Sequence, residues 1–377
     1  MPTRRFILTA AGATAVVLGA GLGGTAVLAP STDAARAPWA AAGAGFGDPR
    51  LDALSYAVLA PSPHNRQPWR IALQGADAMT VFCDLDRRLP ETDPLDRQIV
   101  IGFGAFLELL RMAAADLGYA AEITPFPDGV PAGRLDDRPV AHVRVHAAAG
   151  ARDPLFAHVL DRRTVRTPFS GTVPGEAVLA RVFSEPMAGF TARPERVSEL
   201  KSLCREGWEI EHANRPTLEE SVDLTRIGAN EVNASPDGIS LSGPAIEAVR
   251  LTGTLSRAAM RERGSWAYRQ VLDFYLAAIE ASPAFGWLLG EGDTQLDRLD
   301  AGQRWLRVHL HATREGLALQ PLSQVLQEFE PMRPLLRRAH DLLAPDGGRV
   351  HGLFRLGFAA SPPPAPRWPL ESRITPA

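Results

Sequence analysis

Two stretches of this chain repeat one design, and that repetition restricts the fold more than any other feature. Gly102-Phe103-Gly104-Ala105-Phe106-Leu107 runs through Leu110 and Ala113 to Gly118, and Gly302-Gln303-Arg304-Trp305-Leu306 runs through Leu310 and Ala312 to Gly316. Each follows an Asp-rich segment and ends in a glycine suited to a helix C-terminus, before a strand-like run. The first helix is expected over Asp93–Gly118, with Ile99, Val100, Phe103, Leu107, Leu110 and Met112 on a broad apolar face; the second is expected over Leu299–Glu315. A glycine inside a helix costs roughly 1 kcal/mol against alanine, so Gly102 and Gly104 call for close approach by another backbone or a flat ring. The expectation is a diverged duplication: an α+β chain of two fused halves related by pseudo-twofold symmetry, each an antiparallel or mixed sheet flanked by helices. No fixed-period solenoid repeat occurs.

Ahead of the first half, Thr3-Arg4-Arg5-Phe6-Ile7-Leu8 opens an uncharged Ala/Gly/Val/Leu/Thr run that reaches Ala29. An arginine pair before a weakly apolar stretch resembles a twin-arginine export signal. The run is also long enough for one membrane span, so an uncleaved signal acting as an anchor stays open. Export implies the twin-arginine machinery as a partner and the periplasm or cell exterior as the location. Residues 1–37 are assigned to signal and linker, 38–152 to the first half and 153–377 to the second. The Ala/Gly/Pro-rich segment from Thr32 to Gly47 reads as linker. A helix from Pro49 ends at Ala60-Pro61-Ser62-Pro63, strands Trp69–Leu73 and Met79–Asp84 form a hairpin, and further strands fall near Ala121–Phe126 and Val140–His146. The second half is expected to hold a helix around Leu155–Arg163, a polar helical region from Val197 to about Arg226, a long loop Gly228–Gly243 and a strand Ala284–Leu289.

Composition removes several chemistries. A net charge of -3 lacks the basic excess of a nucleic-acid-binding domain. Lys201 is the single lysine, so Schiff-base chemistry rests on it alone and any phosphate falls to arginine. Cys83 and Cys204 have no metal-ligand spacing and read as two small buried residues, with one disulfide as the alternative in an oxidising compartment. His309 and His311 fall on different faces of a helix, and no Gly-x-Ser-x-Gly elbow or dinucleotide fingerprint is present.

Three segments remain as carriers of chemistry. Ala60-Pro61-Ser62-Pro63-His64-Asn65-Arg66-Gln67-Pro68-Trp69 is a proline-stiffened loop presenting a hydroxyl, an imidazole and two amides, which suits the alternating donors and acceptors of a planar heterocycle. Taken alone, a Ser/Asn/Pro turn satisfies its own backbone. Arg162-Arg163-Thr164-Val165-Arg166 sets arginines on either side of a hydroxyl, a pattern able to fork around a phosphate, although a short arginine cluster is more often a solvated helix end. Gly316-Leu317-Ala318-Leu319-Gln320-Pro321-Leu322-Ser323 reads as a helix cap followed by a buried strand. Arg355, in Phe354-Arg355-Leu356-Gly357, and Arg367 stand on either side of the proline run Pro362–Pro366.

The decapeptide resembles the loop of the FMN-dependent nitroreductase family that contacts the flavin across a subunit interface. The His-Asn order, Gln-Pro-Trp and Asp93-Pro94 with Arg97 and Gly102 are closest to its Acg-like branch. The likeness runs from about Asp48 to Arg367, specific at the loop and thin in the middle. It implies a nitroreductase-like fold and FMN as cofactor. Pro61, Ser62, Pro63, His64, Asn65 and Gln67 would lie at the ring, Arg162, Thr164 and Arg166 at the phosphate and ribityl chain. Gln320, Pro321 and Leu322 would run beside the reactive edge, with Arg367 as a second phosphate contact and Arg355 equally a structural arginine. In the family the arginine motif opens the fold; here it sits mid-chain and the loop precedes it. One flavin per chain and a monomer follow, because the complementary motifs lie in separate fused halves. The implied activity is ping-pong hydride transfer from NAD(P)H or another small-molecule donor to a quinone or nitro compound, with no protein acid or base. The alternatives are a flavin-sequestering protein lidded by Gly228–Gly243, and an exported interaction protein without flavin.

Overall fold

A computed structural model describes residues 30–148 and 152–375; the export motif that reaches Ala29 lies outside the described residues. In chain order the first portion contains α1 (Asp33–Ala41), α2 (Pro49–Ala57), β1 (Trp69–Gln74), β2 (Ala78–Cys83), α3 (Arg97–Asp116), β3 (Tyr119–Pro125) and β4 (Ala141–Ala147). β1 and β2 form the expected hairpin, with Trp69 opposite Cys83 and Gln74 opposite Ala78. α3 begins later than the sequence suggested, because the Asp93 carboxylate accepts from Gln98 N (3.0 Å) and Ile99 N (2.9 Å) and so caps the helix from outside it.

The remainder runs α4 (Glu176–Val182), β5 (Ala188–Thr191), α5 (Pro194–Ala213), α6 (Arg215–Asp223), β6 (Thr225–Ile227), α7 (Ala229–Ala234) and β7 (Ile239–Leu241). It continues with α8 (Pro244–Leu251), α9 (Arg257–Arg261), α10 (Trp266–Glu280), β8 (Ala284–Gly290), α11 (Gln295–Arg314), β9 (Ala318–Pro321), α12 (Arg333–Leu343), β10 (Arg349–Gly357) and β11 (Ile374–Thr375). One sheet has the order β11-β1-β2-β4-β3, antiparallel except for the parallel β1–β11 pair; a second is antiparallel, β5-β8-β10-β9. β6 and β7 form a third, two-stranded parallel sheet, and the chain is α+β. α6 and the helices α8 to α10 close a separate apolar cluster that includes Leu218, Val222, Ile246, Leu255, Met260 and Ala267.

The two repeated helices, α3 and α11, pack directly on each other. A methyl group added at Gly104 would sit 2.0 Å from the Leu299 carbonyl oxygen, and one added at Gly302 would sit 2.0 Å from the Ile101 carbonyl oxygen. Each glycine thus faces the carbonyl three residues before its counterpart, a reciprocal contact that only glycine permits. The helices also share a core: Leu299, Leu306 and Leu310 of α11 lie in the cluster built by Phe103, Phe106 and Leu110 of α3.

Four expectations change. Thr32–Gly47 is not merely linker: α1 occupies most of it, and its Trp39 is buried. Leu155–Arg163 forms only a short 3-10 turn, Pro154–His158, since the chain then extends so that Val165 N can donate to Leu319 O (3.0 Å). Gly228–Gly243 is not an open loop, because β7 pairs with β6 in parallel and the two glycines, at φ 89° and 107°, start short helices. The division at 152/153 is crossed by β11, which returns to complete the first sheet. Cys83 and Cys204 are buried free thiols.

Candidate functional site

The proline-bounded loop is held in a strained form. His64, Asn65 and Gln67 have φ of 45°, 54° and 49°, a region that costs non-glycine residues on the order of 1 kcal/mol or more each. Specific bonds offset that cost. Gln67 N donates to Ser62 Oγ (2.9 Å), the Gln67 amide nitrogen donates to Asn65 O (3.1 Å) and Pro236 O (2.8 Å), and its oxygen accepts from Trp368 N (2.9 Å). The Asn65 amide donates to Pro366 O (3.0 Å) and accepts from Arg367 Nη1 (2.7 Å). The loop leans on α3 at its first glycine, where an added Cβ on Gly102 would meet Pro63 Cδ at 3.5 Å.

Against the start of this loop stands a group of arginines without acidic partners among the described residues. Arg162 Nη2 and Arg367 Nη2 both donate to Leu59 O, each at 2.9 Å, and Arg367 also reaches Ala60 O. Arg163 bonds Leu160 O and Arg162 O. Three guanidinium carbons, those of Arg162, Arg163 and Arg367, lie 5.9, 4.9 and 5.5 Å from the centre of the Trp39 ring. Trp39 is itself tied down by donation to Ala365 O (2.8 Å), while Arg36 donates to Pro364 O (2.9 Å).

Burial pulls Arg162 down to about 10, with Arg163 adding to the effect. Burial, then Arg162, Arg163 and Arg166, hold Arg367 far below the usual arginine range. Burial, then Arg166 and Arg66, push His64 down to about 4, so its imidazole is neutral at pH 7. Arg367 Nε and His64 Nδ1 are buried without a partner. Arg166 makes no hydrogen bond or ion pair among the described residues, and Thr164 aligns beside Leu319. Clustered buried cations are costly unless an anion joins them.

A cavity of about 300 Å3 brings these groups together. Pro61, Ser62, Pro63, His64 and Asn65 line it from one portion of the chain, and Arg162, Thr164, Arg166, Gln320, Pro321 and Arg367 from the other. Gln67 and Leu322 are not among its lining residues. Gln67 is fully buried behind the loop as its staple, and Leu322, also buried, spends its N–H on Leu353 O (2.8 Å). Ser323 and Gln324 take part in the wall instead. The Gln320 side chain is committed to Arg355, whose guanidinium donates to it at 2.6 Å and to Ala278, Val165 and Thr167 carbonyls besides. Arg355 is therefore structural. Arg36 and Trp39 are lining residues that the sequence reading missed. Their signal was a cation and an aromatic three positions apart in an alanine-rich run, which is helix-forming composition.

The segment between α7 and β7 is clamped over the loop. Asp237 accepts from Arg66 (2.8 Å), Arg87 (2.7 Å) and Arg226 (2.7 Å), and the Asp237 side chain is 3% exposed. Burial would raise this carboxyl, but Ser235 and the guanidiniums hold it below its ordinary value.

No family model matches the chain. It is 28% identical over 345 residues to an uncharacterised protein of Mycobacterium tuberculosis, covering 85% of this chain and 91% of that relative. It is 28% identical over 329 residues to a second M. tuberculosis protein, provisionally named an NAD(P)H nitroreductase, covering 85% and 89%. A third, the M. tuberculosis protein acg, carries the same provisional name and is 35% identical over 125 residues, 31% of this chain and 35% of the relative. Among solved structures, the FMN-dependent nitroreductase NfnB of Mycobacterium smegmatis in complex with NADPH aligns at a TM-score of 0.35 and 14% identity, covering 56% of this chain and 92% of that one. A Bacteroides fragilis nitroreductase with bound FMN aligns at 0.31 and 13%, covering 55% and 89%.

Proposed function

We propose that this chain binds one FMN and acts as an oxidoreductase of the nitroreductase family. The observation that carries the reading is the buried arginine group, which lacks a carboxylate partner among the described residues and lines one cavity together with a strained, amide-bearing loop. Arg166 and the Thr164 hydroxyl, unbonded among the described residues, are donors for a phosphate. Arg162, Arg163 and Arg367 supply positive potential while their own donors brace the wall. Pro61 to Asn65, Gly102 and Pro321 offer the surface for the ring. The chemistry FMN supplies when bound is two-electron exchange between a donor and an acceptor; the protein's part is position and electrostatics. The similarity to the provisionally named M. tuberculosis nitroreductase over most of both chains supports this reading. The reciprocal glycine contact between α3 and α11 supports fusion of two halves, and with it one site per chain.

The Asp237 clamp favours a second reading, in which the 228–243 segment keeps the flavin closed off and turnover is slow. Export of the chain fits either reading, with NAD(P)H or another small-molecule donor as the source of electrons. Absorbance of the purified protein tests the first step: a yellow protein is expected, and a colourless one that takes up no added FMN refutes both readings. Bleaching by NADPH or NADH supports the open enzyme; bleaching by dithionite alone supports the closed one.

A further inference from the structure

Beyond the arginines the cavity continues between α5, α6 and α10, where its chemistry reverses. The residues that α5, α6 and α10 contribute there include Trp208, Glu211, Leu218, Ser221, Val222 and Trp266, none of them cationic. Trp208 and Tyr275 stack with ring centres 4.2 Å apart and, with Trp266, give it flat apolar walls. Three polar atoms among its lining residues have no hydrogen-bond partner: Glu211 Oε2, Gln327 Oε1 and Ser221 Oγ. Glu211 is only 4% exposed and Gln327 3%. One carboxyl oxygen and one amide oxygen buried without donors cost on the order of 1–3 kcal/mol each, which a bound group that donates hydrogen bonds would recover. Burial pushes the Glu211 carboxyl up to about 7, against the pull of the neighbouring Gln327, so the acid is partly protonated near neutrality and does not demand a cation.

We infer that this part of the cavity is the electron donor's site and selects a flat ring carrying a hydroxyl, a hydroquinone that leaves as the quinone once it has given up two electrons and two protons, its O–H donating to Glu211 while bound. The inference deepens the proposed function and rests on it for the redox role alone, because binding is measured without turnover. The probe pair is 2-naphthol and 2-methoxynaphthalene, alike in ring and differing in the donor, titrated calorimetrically into the full chain. The wild-type protein is expected to hold 2-naphthol about tenfold more tightly, the worth of one good hydrogen bond to a buried acceptor. Glu211→Leu, which fills the same space without polar atoms, brings the two ligands within about twofold, while Trp266→Ala weakens both together. Equal wild-type affinities, no binding of either ligand, or an unchanged preference in Glu211→Leu overturns the inference. The wild-type ratio decides even if a variant does not fold. The flavin reading fails separately: a colourless protein that prefers 2-naphthol sinks only the redox role, and a yellow protein indifferent to the pair sinks only the site.

Discussion

Arg166→Ala should move two measured quantities in opposite directions. The Arg166 side chain bonds nothing else among the described residues, yet its charge bears on Arg367 and His64, both of which it pushes down. In the flavin-free protein its removal therefore relieves repulsion without breaking a bond. At the effective dielectric of partly buried sites this is worth a few tenths to about 1 kcal/mol of added stability, shrinking as salt is raised. In the flavin complex the same change deletes a charge-assisted bond to phosphate, worth about 1.5–3 kcal/mol, or a roughly 10- to 150-fold weaker dissociation constant. Urea denaturation of stripped protein reads the first effect, and fluorescence titration with FMN reads the second. Arg355→Ala is the contrasting variant: its guanidinium joins Gln320 and three carbonyls, so its loss should cost the flavin-free protein about 3 kcal/mol or more. Unchanged FMN affinity in Arg166→Ala, or a flavin-free Arg166→Ala protein destabilised by more than about 1 kcal/mol, would mean that the arginines are a structural cluster and not an anion site.

Three further perturbations follow from the same geometry. Gly104→Ala drives a methyl into the Leu299 carbonyl and should cost about 3 kcal/mol or more by chemical denaturation; Gly102→Ala meets only ordinary contacts and should be near neutral, and equal losses would refute backbone contact as the reason for Gly104. Asp237→Ala removes the carboxylate shared by Arg66, Arg87 and Arg226, so hydrogen exchange should rise across 228–243 and bound flavin should exchange faster; unchanged protection there would remove the clamp. For Glu211, the native pKa of about 7 lies above the ordinary 4.5, so its stabilising contribution is complete below about pH 4.5 and is lost as pH rises through 7, up to about 3 kcal/mol. His212 and His64, lowered to about 4, give the opposite slope, so the difference between wild type and Glu211→Gln is the quantity to follow, with Glu220 the nearby acid that shares the field. A flat difference across that window would refute a protonated native Glu211.

What could be read from the sequence was chemistry confined to a few consecutive residues. The glycines of α3 and α11, the proline-stiffened loop and the Arg-Thr-Arg motif each announced a local need, and the structure brings residues of the last two to one cavity. What escaped depends on partners hundreds of residues away. Arg36 and Trp39 matter because of Pro364 and Ala365, and nothing in an Ala/Gly/Pro-rich run distinguishes a linker from a helix whose aromatic residue lies under three guanidiniums. The choice between Gly102 and Gly104 was likewise invisible: one faces the loop and the cavity, the other a helix backbone, and both look alike in sequence.

The same long-range bonding explains why arginines of the site are not interchangeable. Arg162 and Arg367 converge on the Leu59 carbonyl, and Arg367 grips the Asn65 amide, so the cations that attract an anion also hold the strained loop that would meet the ring. Removing either would unmake both ends of the site at once and report little about binding. Arg166 alone carries charge into the cavity without bracing its wall, which is why its substitution can separate recognition of a phosphate from the architecture that presents it.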